Sequence, residues 1–226
     1  MPPILHKTYT FKDVYKKPDD NGYGESLAYQ RFNILKLLNF KSVLDVGSGA
    51  CFLYKWLVEN NLEIDYEAVD VRTDALELCK CQTYSEIPKN KKYDLVCLFG
   101  TVTYNFEYDN YKNKQILLSL LSESIKVSNT YLLFTVMKNE INTEATIKAN
   151  RFLFFTKEDV INILADLNIS KYQIIEDDNY DKEEYFVICN VKDTQISETT
   201  LSQQQYKELI LQKYSPFCNW IGVWEG

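Results

Sequence analysis

The chain has 226 residues, which is long enough for one substantial hydrophobic core, and we expect a single domain. Hydrophobic residues make up 46% and charged residues 25%, the balance of an ordinary globular protein rather than a disordered one. The net charge of −7 and the scarcity of arginine, found only at Arg31, Arg72 and Arg151, argue against a nucleic-acid partner. No apolar run approaches the length of a membrane span, so no membrane partner is expected.

The six cysteines lack the C-x-x-C spacing of zinc sites, and several lie in apolar runs where a thiol packs as a small hydrophobe. Because the first residues do not have the pattern of a secretory signal, we expect reduced thiols and a cytoplasmic location. His6 is the single histidine, so neither a zinc site nor a histidine-based triad is expected, and we predict no metal. The cysteines are Cys51, Cys79, Cys81, Cys97, Cys189 and Cys218.

Strand and helix patterns alternate through the first half of the chain. Residues 1–22 are polar and contain prolines, and we interpret them as an arm or lid preceding a domain over residues 23–191. Apolar residues at helical spacing predict helices, and short apolar or alternating runs predict strands. In chain order the predicted elements are a helix over 25–38, a strand over 42–46, a helix over 50–59, and strands over 66–71, 76–81 and 93–99.

The second half continues the alternation and then changes it. Thr156 is the expected N-cap of a helix that runs to about Leu167, and the acidic turn 177–184 joins the last two strands as an antiparallel hairpin. This order predicts an α/β, Rossmann-like, doubly wound and mostly parallel seven-stranded sheet with an antiparallel last strand. The remaining predicted elements are a helix over 115–127 and strands over 131–137, 172–176 and 185–189.

The segment Val43–Ala50 is the most informative stretch of the sequence. An apolar strand containing Asp45 is followed by Gly47-Ser48-Gly49 and then by a helix. Glycines there permit a tight turn and let a ligand lie against bare backbone, and the helix amino terminus offers unpaired amide donors. Asp70 follows 21 residues after Gly49, at the end of the next strand, where a carboxylate can accept hydrogen bonds from ribose hydroxyls.

This arrangement resembles class I S-adenosylmethionine-dependent methyltransferases, and the resemblance in element order extends from about Ser42 to Val191. It implies methyl transfer, by in-line displacement, from S-adenosylmethionine to a small-molecule acceptor, at nitrogen or oxygen. It also implies roles for the matching positions. By the resemblance, Asp45 lies near the methionine portion of the cofactor, Gly47 and Gly49 line it, Asp70 holds the ribose, and Gly100 and Thr101 lie beside the sulfonium. Ser48 and Val71 are further cofactor-binding candidates.

One feature favours this resemblance over that to a dehydrogenase, and a second departs from the family pattern. A nicotinamide dehydrogenase requires a third glycine in G-x-G-x-x-G, and Phe52 occupies that position, which favours adenosylmethionine over a dinucleotide. Only 24 residues separate Asp70 from Asp94, so we predict a shortened region between strands two and four. The family often contacts adenine through an acidic residue after strand three, whereas Gln82 and Thr83 are the candidates at that place here.

The loop Gly100–Asp109 follows the fourth strand, where acceptor and cofactor meet in such folds. Tyr104, Asn105 and Glu107 are the candidate catalytic residues, because they can orient an acceptor or take its proton. The alternative is a polar aromatic loop that only closes the edge of the sheet. No signature of a nucleic-acid methyltransferase follows the strand, which leaves a small molecule as the expected acceptor.

Residues near the two ends of the domain are further candidates. The aromatic ring of Tyr23 can face a sulfonium, and Arg31 can pair with the methionine carboxylate, although a solvated helix face also explains Arg31. Residues 192–226 form an extension whose Trp220 and Trp224 predict packing on the sheet or a subunit contact, such as a homodimer. Two other functions remain open, a non-catalytic cofactor-binding partner subunit and a nicotinamide-dependent oxidoreductase.

Overall fold

The computed structural model describes residues 25–71, 76–77, 79–102, 110–138, 153–176, 184–192 and 194. Four α-helices and eight strands alternate along these residues. The helices are α1 (Glu25–Phe32), α2 (Phe52–Glu59), α3 (Asn110–Val127) and α4 (Lys157–Asp166), and a 3-10 helix covers Asn33–Leu37. The strands are β1 (Ser42–Val46), β2 (Asp65–Val69), β3 (Gln82–Tyr84), β4 (Tyr93–Leu98), β5 (Ser128–Lys138), β6 (Phe154–Phe155), β7 (Tyr172–Glu176) and β8 (Glu184–Asn190).

The strands form one sheet in the order β3-β2-β1-β4-β5-β8-β7, and the two-residue β6 adds to β5. The pairs along β3-β2-β1-β4-β5 are parallel, whereas β8 is antiparallel to both β5 and β7. The predicted doubly wound, mostly parallel sheet with an antiparallel last strand is therefore confirmed, with β6 as an unpredicted addition. The strand order reverses between the neighbouring strands β1 and β4, because β2 and β3 lie on one side of this pair and β5 lies on the other. We call this place the switch point of the sheet.

Helices cover both faces of the sheet. On one face the apolar side chains of α3 and α4 pack against alternate strand residues such as Leu44 and Val96. On the other face the core contains Phe32 of α1 and Trp56 of α2, whose rings meet edge-on at 6.1 Å, packed against Val43 and its neighbours. Because β1 is buried on both faces, nothing along it is available to a ligand except its carboxyl end.

Helix boundaries follow local chemistry where the sequence supplies it. The predicted N-cap at Thr156 is confirmed, because its hydroxyl accepts from the Asp159 amide at 3.1 Å while the Asp159 carboxylate accepts from the Thr156 amide at 2.8 Å. The predicted helix over 25–38 divides into α1 and the 3-10 helix. The predicted helix over 50–59 begins at Phe52, because Cys51 adopts the left-handed conformation with φ of 55°.

The third strand was wrongly placed by the sequence. Leu76 and Glu77 lie in a helical turn rather than a strand, and β3 instead covers Gln82–Tyr84, paired with Glu67–Val69 of β2. The alternation of Leu76–Cys81 resembles a half-buried strand, but Cys79 lies outside the sheet and is bonded to Cys51 in the loop after β1. The predicted shortening is present between β3 and β4, where the fully described residues 85–92 form turns and no helix.

Candidate functional site

The glycine loop begins where β1 ends and folds over the end of β2. The amides of Gly47 and Ser48 both donate to the Val69 carbonyl, at 2.8 and 3.1 Å, and the amide of Cys51 closes the turn onto the Ser48 carbonyl at 3.0 Å. Gly47 and Gly49 have φ of 77° and 52°, a region that suits glycine and strains other residues. The loop is therefore a compact turn at the switch point of the sheet, where ligands bind in open α/β folds.

Thr101 fits against Gly47 and joins the ends of β1 and β4. Its hydroxyl donates to the Val46 carbonyl at 2.9 Å, and a Cβ at Gly47 would lie 2.2 Å from that hydroxyl oxygen. This close contact requires a glycine at position 47 whether or not a ligand binds there. The contact brings Thr101 to the glycine loop, and its predicted place beside the sulfonium stays a prediction.

Asp70 holds the loop from the other side. Its Oδ2 accepts from the Gly49 amide at 2.9 Å, its own amide donates to the Tyr84 carbonyl at 3.1 Å, and the residue is only 8% exposed. One carboxylate oxygen thus fixes the glycine loop at the end of β2. The position agrees with the predicted ribose contact, which stays a prediction.

Asp45 lies deeper than Asp70, on the face of the sheet covered by α1 and α2. The residue is 4% exposed, its Oδ2 accepts from the Tyr66 hydroxyl at 2.8 Å, and the Cys97 sulfur lies 3.8 Å from its Oδ1. Burial, with a smaller contribution from the charge of Asp70, raises the pKa of Asp45 to about 7, although the Tyr66 hydrogen bond acts to lower it. The side chain is therefore a buried, readily protonated group behind the loop, and its predicted place near the methionine portion remains a prediction.

Arg31 and Glu184 form an ion pair that the sequence did not reveal. Arg31 Nη2 lies 2.7 Å from Glu184 Oε1, and their side chains are 13% and 4% exposed. Glu184 opens β8 opposite Met137, near the carboxyl end of β5. Arg31 also reaches the end of β4, because its Nη1 lies 3.4 Å from where a Cβ at Gly100 would be. The structure thus places Arg31 at the switch point, with Glu184 rather than solvent as its neighbour.

Two buried oxygens at this edge have unused hydrogen-bonding capacity. Within the described part of the chain, Ser48 Oγ and Glu184 Oε2 are buried without a hydrogen-bond partner. Ser48 belongs to the glycine loop, and Glu184 lies beside Arg31 at the start of β8. Buried polar atoms are almost always satisfied, so unsatisfied ones at this edge of the sheet indicate a place for polar ligand atoms. Ser48 was among the predicted cofactor residues. Glu184 was assigned to the acidic turn, and its one signal was its position directly before the apolar run Tyr185–Cys189.

The adenine candidates need a correction. Gln82 and Thr83 lie inside β3, in register with Glu67 and Ala68, rather than after it. The Gln82 side chain is exposed, and Thr83 is half-buried. Because β3 ends at Tyr84, the residues that follow it at the carboxyl edge are Ser85 and the exposed acidic Glu86. The error follows directly from the misplaced third strand.

Several predicted residues lie outside the described part of the chain. These are the arm with Tyr23, the candidate catalytic residues of the loop after β4, and the extension beyond the domain. Val71 is described, half-buried and next to Asp70. The undescribed candidates are Tyr23, Tyr104, Asn105, Glu107, Trp220 and Trp224.

The expectation of reduced thiols is wrong for two cysteines. Cys51 and Cys79 form a disulfide with a Cα–Cα distance of 5.4 Å, and the sulfurs of Cys51, Cys79 and Cys81 all lie within 4.8 Å of one another. Cys81, Cys97 and Cys189 are free thiols. The pairing was not visible in the sequence because 28 residues separate the two cysteines, and the sheet brings them together at its carboxyl edge.

Known proteins share this architecture. Superposition gives a TM-score of 0.51 with magnesium protoporphyrin IX methyltransferase from Synechocystis PCC 6803 with bound S-adenosylhomocysteine, at 12% identity over 74% of this chain and 80% of that one. The chain has the class I methyltransferase fold. A methyltransferase from Archaeoglobus fulgidus gives 0.51 at 16% identity, covering 74% of this chain and 94% of that chain. Human N-acetylserotonin methyltransferase, in complex with S-adenosylmethionine, gives 0.53 at 11% identity, covering 80% and 54%.

The resemblance drawn from the glycine loop and Asp70 is thereby confirmed in the fold. No protein-family model matches the sequence, and no curated protein matches it. Among the described residues, no helix is long and apolar enough to cross a membrane.

Proposed function

We propose that the chain is an S-adenosylmethionine-dependent methyltransferase that acts on a small-molecule acceptor. The observation that carries the proposal is the glycine loop at the switch point, fixed by the Asp70 carboxylate at 2.9 Å from the Gly49 amide. The neighbours in fold are methyltransferases, and those from Synechocystis and human hold the cofactor or its product. A dinucleotide fits less well, because the half-buried Phe52 begins α2 where a third glycine is needed for a pyrophosphate.

The described residues fit the cofactor. We propose that Asp70, whose carboxylate accepts from the Gly49 amide, also accepts from the ribose hydroxyls, that Ser48 Oγ, which is buried without a hydrogen-bond partner among the described residues, bonds the ligand, and that Gly49 lines it. For adenine we propose Ser85 and Glu86, since they follow β3 where Gln82 and Thr83 do not. When bound, S-adenosylmethionine supplies a methyl group activated by its sulfonium.

The chain's own contribution to the reaction is orientation. We place the acceptor at the end of β4, between Gly100, the loop carrying Tyr104, Asn105 and Glu107, and the Arg31–Glu184 pair. Positioning an acceptor atom in line with a methyl group accelerates such a displacement without an oxyanion site. The carboxylates of Glu107 and Glu184 offer places for a proton leaving a hydroxyl or amine acceptor. Tyr23, on the arm preceding α1, is proposed to cover the sulfonium.

Direct binding tests the proposal. We expect S-adenosylhomocysteine to bind with micromolar or better affinity in calorimetry, and NADH to give no heat. At 100 times the dissociation constant the ligand should raise the free energy of unfolding by about 2.7 kcal/mol. The absence of both heat and a melting shift at millimolar S-adenosylhomocysteine would contradict the proposal. Binding without turnover on any acceptor in a broad screen would favour the non-catalytic partner subunit.

Variants of the loop test the acceptor site. Tyr104→Phe, Asn105→Ala and Glu107→Gln should lower turnover while the affinity for S-adenosylhomocysteine stays within about threefold, less than 0.7 kcal/mol. Tyr111→Phe is the matched control, because Tyr111 lies on α3 just beyond the loop and is 73% exposed. Full activity in all three loop variants would move the acceptor site elsewhere, and the extension with Trp220 would be the next region to test.

We propose that the protein is located in the cytoplasm, which agrees with the free, buried thiols of Cys97 and Cys189. In that compartment a protein disulfide is usually transient, and serves catalysis or redox sensing. We also propose a homodimer, with residues 192–226 as the contact, which sedimentation of the full chain and of a chain ending at residue 192 would test.

A further inference from the structure

The disulfide joins two segments that border the proposed cofactor site. Cys51 lies two residues after Gly49, at the start of α2, and is 2% exposed. Cys79 belongs to the connection between β2 and β3, three residues before β3 begins. The bond therefore links the glycine loop to the segment that runs from Asp70 toward β3.

Polar contacts at Gly49 converge on the same connection. Its amide donates to Asp70 Oδ2 at 2.9 Å, and its carbonyl oxygen lies 3.8 Å from the Cys79 sulfur. The loop is thus held on both sides of Gly49 by residues of one connection, and covalently by Cys79. A change in that covalent bond acts directly on the backbone proposed to contact the ligand.

A third cysteine, Cys81, lies beside the bond. Cys81 lies within 4.8 Å of both bonded sulfurs and is free. Burial, together with the charges of Asp45 and Glu67, raises the pKa of the Cys81 thiol to about 11. Because only a thiolate attacks a disulfide, Cys81 exchanges slowly at neutral pH despite its position. Cys79, unlike Cys51, is partly exposed and can be reached from outside.

We propose that Cys51–Cys79 is a reversible redox site that exchanges with a dithiol–disulfide couple and sets the affinity of the glycine loop for the cofactor. The proposal rests on the function proposed above. A thiolate of the dithiol attacks Cys79 Sγ and displaces the Cys51 thiolate, which takes a proton. The second thiol of the reductant then releases Cys79. Two electrons pass, one protein disulfide becomes two thiols, and the dithiol becomes a disulfide.

The oxidised state is the high-affinity state. With the bond present, the loop and Asp70 are held in the arrangement of the structure, ready for a ligand. Reduction lets the loop leave that arrangement, and the apparent association constant is multiplied by the fraction of time that the loop still spends in it. A loop that is competent for one fifth of the time binds about fivefold more weakly.

The experiment uses the full chain, oxidised with glutathione disulfide or reduced with dithiothreitol, and three variants. Peptide mapping after alkylation without reduction reads the bond, and calorimetry reads the affinity for S-adenosylhomocysteine. The wild type and Cys81→Ser should show the bond and lose about fivefold in affinity on reduction. Cys51→Ser and Cys79→Ser should bind weakly in both conditions and not respond to dithiothreitol. Cys81→Ser is the matched control, because it removes a neighbouring thiol and keeps the bond.

The possible outcomes separate the two proposals. Free thiols at Cys51 and Cys79 in the oxidised chain, or equal affinities in the two states, would overturn the redox site and leave the proposed function intact. Bound zinc that is lost in Cys81→Ser would replace it by a metal site on the three thiols. No binding of S-adenosylhomocysteine in either state would contradict the proposed function, and the redox proposal would fall with it.

Discussion

Replacing Asp70 tests the loop and the ligand site in one experiment. Its Oδ2 accepts from the Gly49 amide at 2.9 Å in a place only 8% exposed, so Asp70→Ala leaves a loop amide without its charged acceptor. Hydrogen bonds to charged groups contribute about 1.5–3 kcal/mol, which is the expected loss in the free energy of unfolding. For a chain of this length, that corresponds to a fall in Tm of roughly 3–12 °C.

The same substitution should weaken ligand binding separately. If the carboxylate also accepts from ribose hydroxyls, a further loss of about 1.5–3 kcal/mol raises the dissociation constant of S-adenosylhomocysteine about 10- to 150-fold. Asp70→Asn divides the two roles, because its amide oxygen can still accept from the Gly49 amide. We expect the Asn variant to keep most of the stability and to bind weakly.

Denaturant unfolding and calorimetry on the same preparations measure both effects. Asp65→Ala is the matched control, since it removes a carboxylate from the opposite end of β2, where the side chain is 63% exposed and 3.6 Å from Lys91. An exposed pair of this kind contributes at most about 1 kcal/mol, and its loss should leave binding unchanged. If Asp70→Ala binds as tightly as the wild type, the carboxylate only supports the loop and our assignment of the ribose contact is refuted.

Two further substitutions test the surroundings of the loop. Gly47→Ala should lower the free energy of unfolding by about 1–3 kcal/mol, because φ is 77° and the new Cβ would lie 2.2 Å from the Thr101 hydroxyl oxygen. Adding Thr101→Ala should recover part of this loss, and urea unfolding of both variants measures it. A Gly47→Ala chain as stable as the wild type would show that the turn adapts. Since the pKa of Asp45 is raised from 3.8 to about 7, the contribution of Asp45 to the free energy of unfolding should fall as pH rises from about 4 to about 7, by roughly 1 kcal/mol per pH unit, and level off above. Asp45→Asn should abolish that slope while Asp65→Asn keeps it, and parallel curves for the wild type and Asp45→Asn would contradict the burial argument.

Much of the fold could be predicted from the sequence because its signals are local. The apolar run of β4, the glycines after β1 and the Thr156 cap each act within a few residues. The antiparallel hairpin followed from two apolar runs separated by an acidic turn. β3 was misplaced because it has only three residues, and its position is set by pairing with β2 rather than by its own pattern.

The contacts of the site were less predictable than the fold, because they join residues far apart in the chain. Arg31 and Glu184 are 153 residues apart, and no spacing rule connects them. The hydrogen bond from Tyr66 to Asp45 spans two adjacent strands and requires the register of β1 and β2. The residues of the glycine loop could be named from the sequence because they are contiguous, whereas distant residues such as Arg31 and Glu184 are brought together only by the sheet, and the contacts of all of them with the cofactor stay predictions.

The short region after β2 and the disulfide are connected in physical terms. Because the connection between β3 and β4 contains only turns, no helix from it packs against this edge of the sheet. The edge strand β3 is attached to β2 through only three residues. The hydrogen bond from the Gly49 amide to Asp70 and the disulfide at Cys51 fix the glycine loop here, whereas packed side chains fix other parts of the molecule. Packing is permanent, whereas a disulfide depends on the redox potential of its surroundings. In the redox proposal, a site held in this way binds its ligand differently in its two redox states.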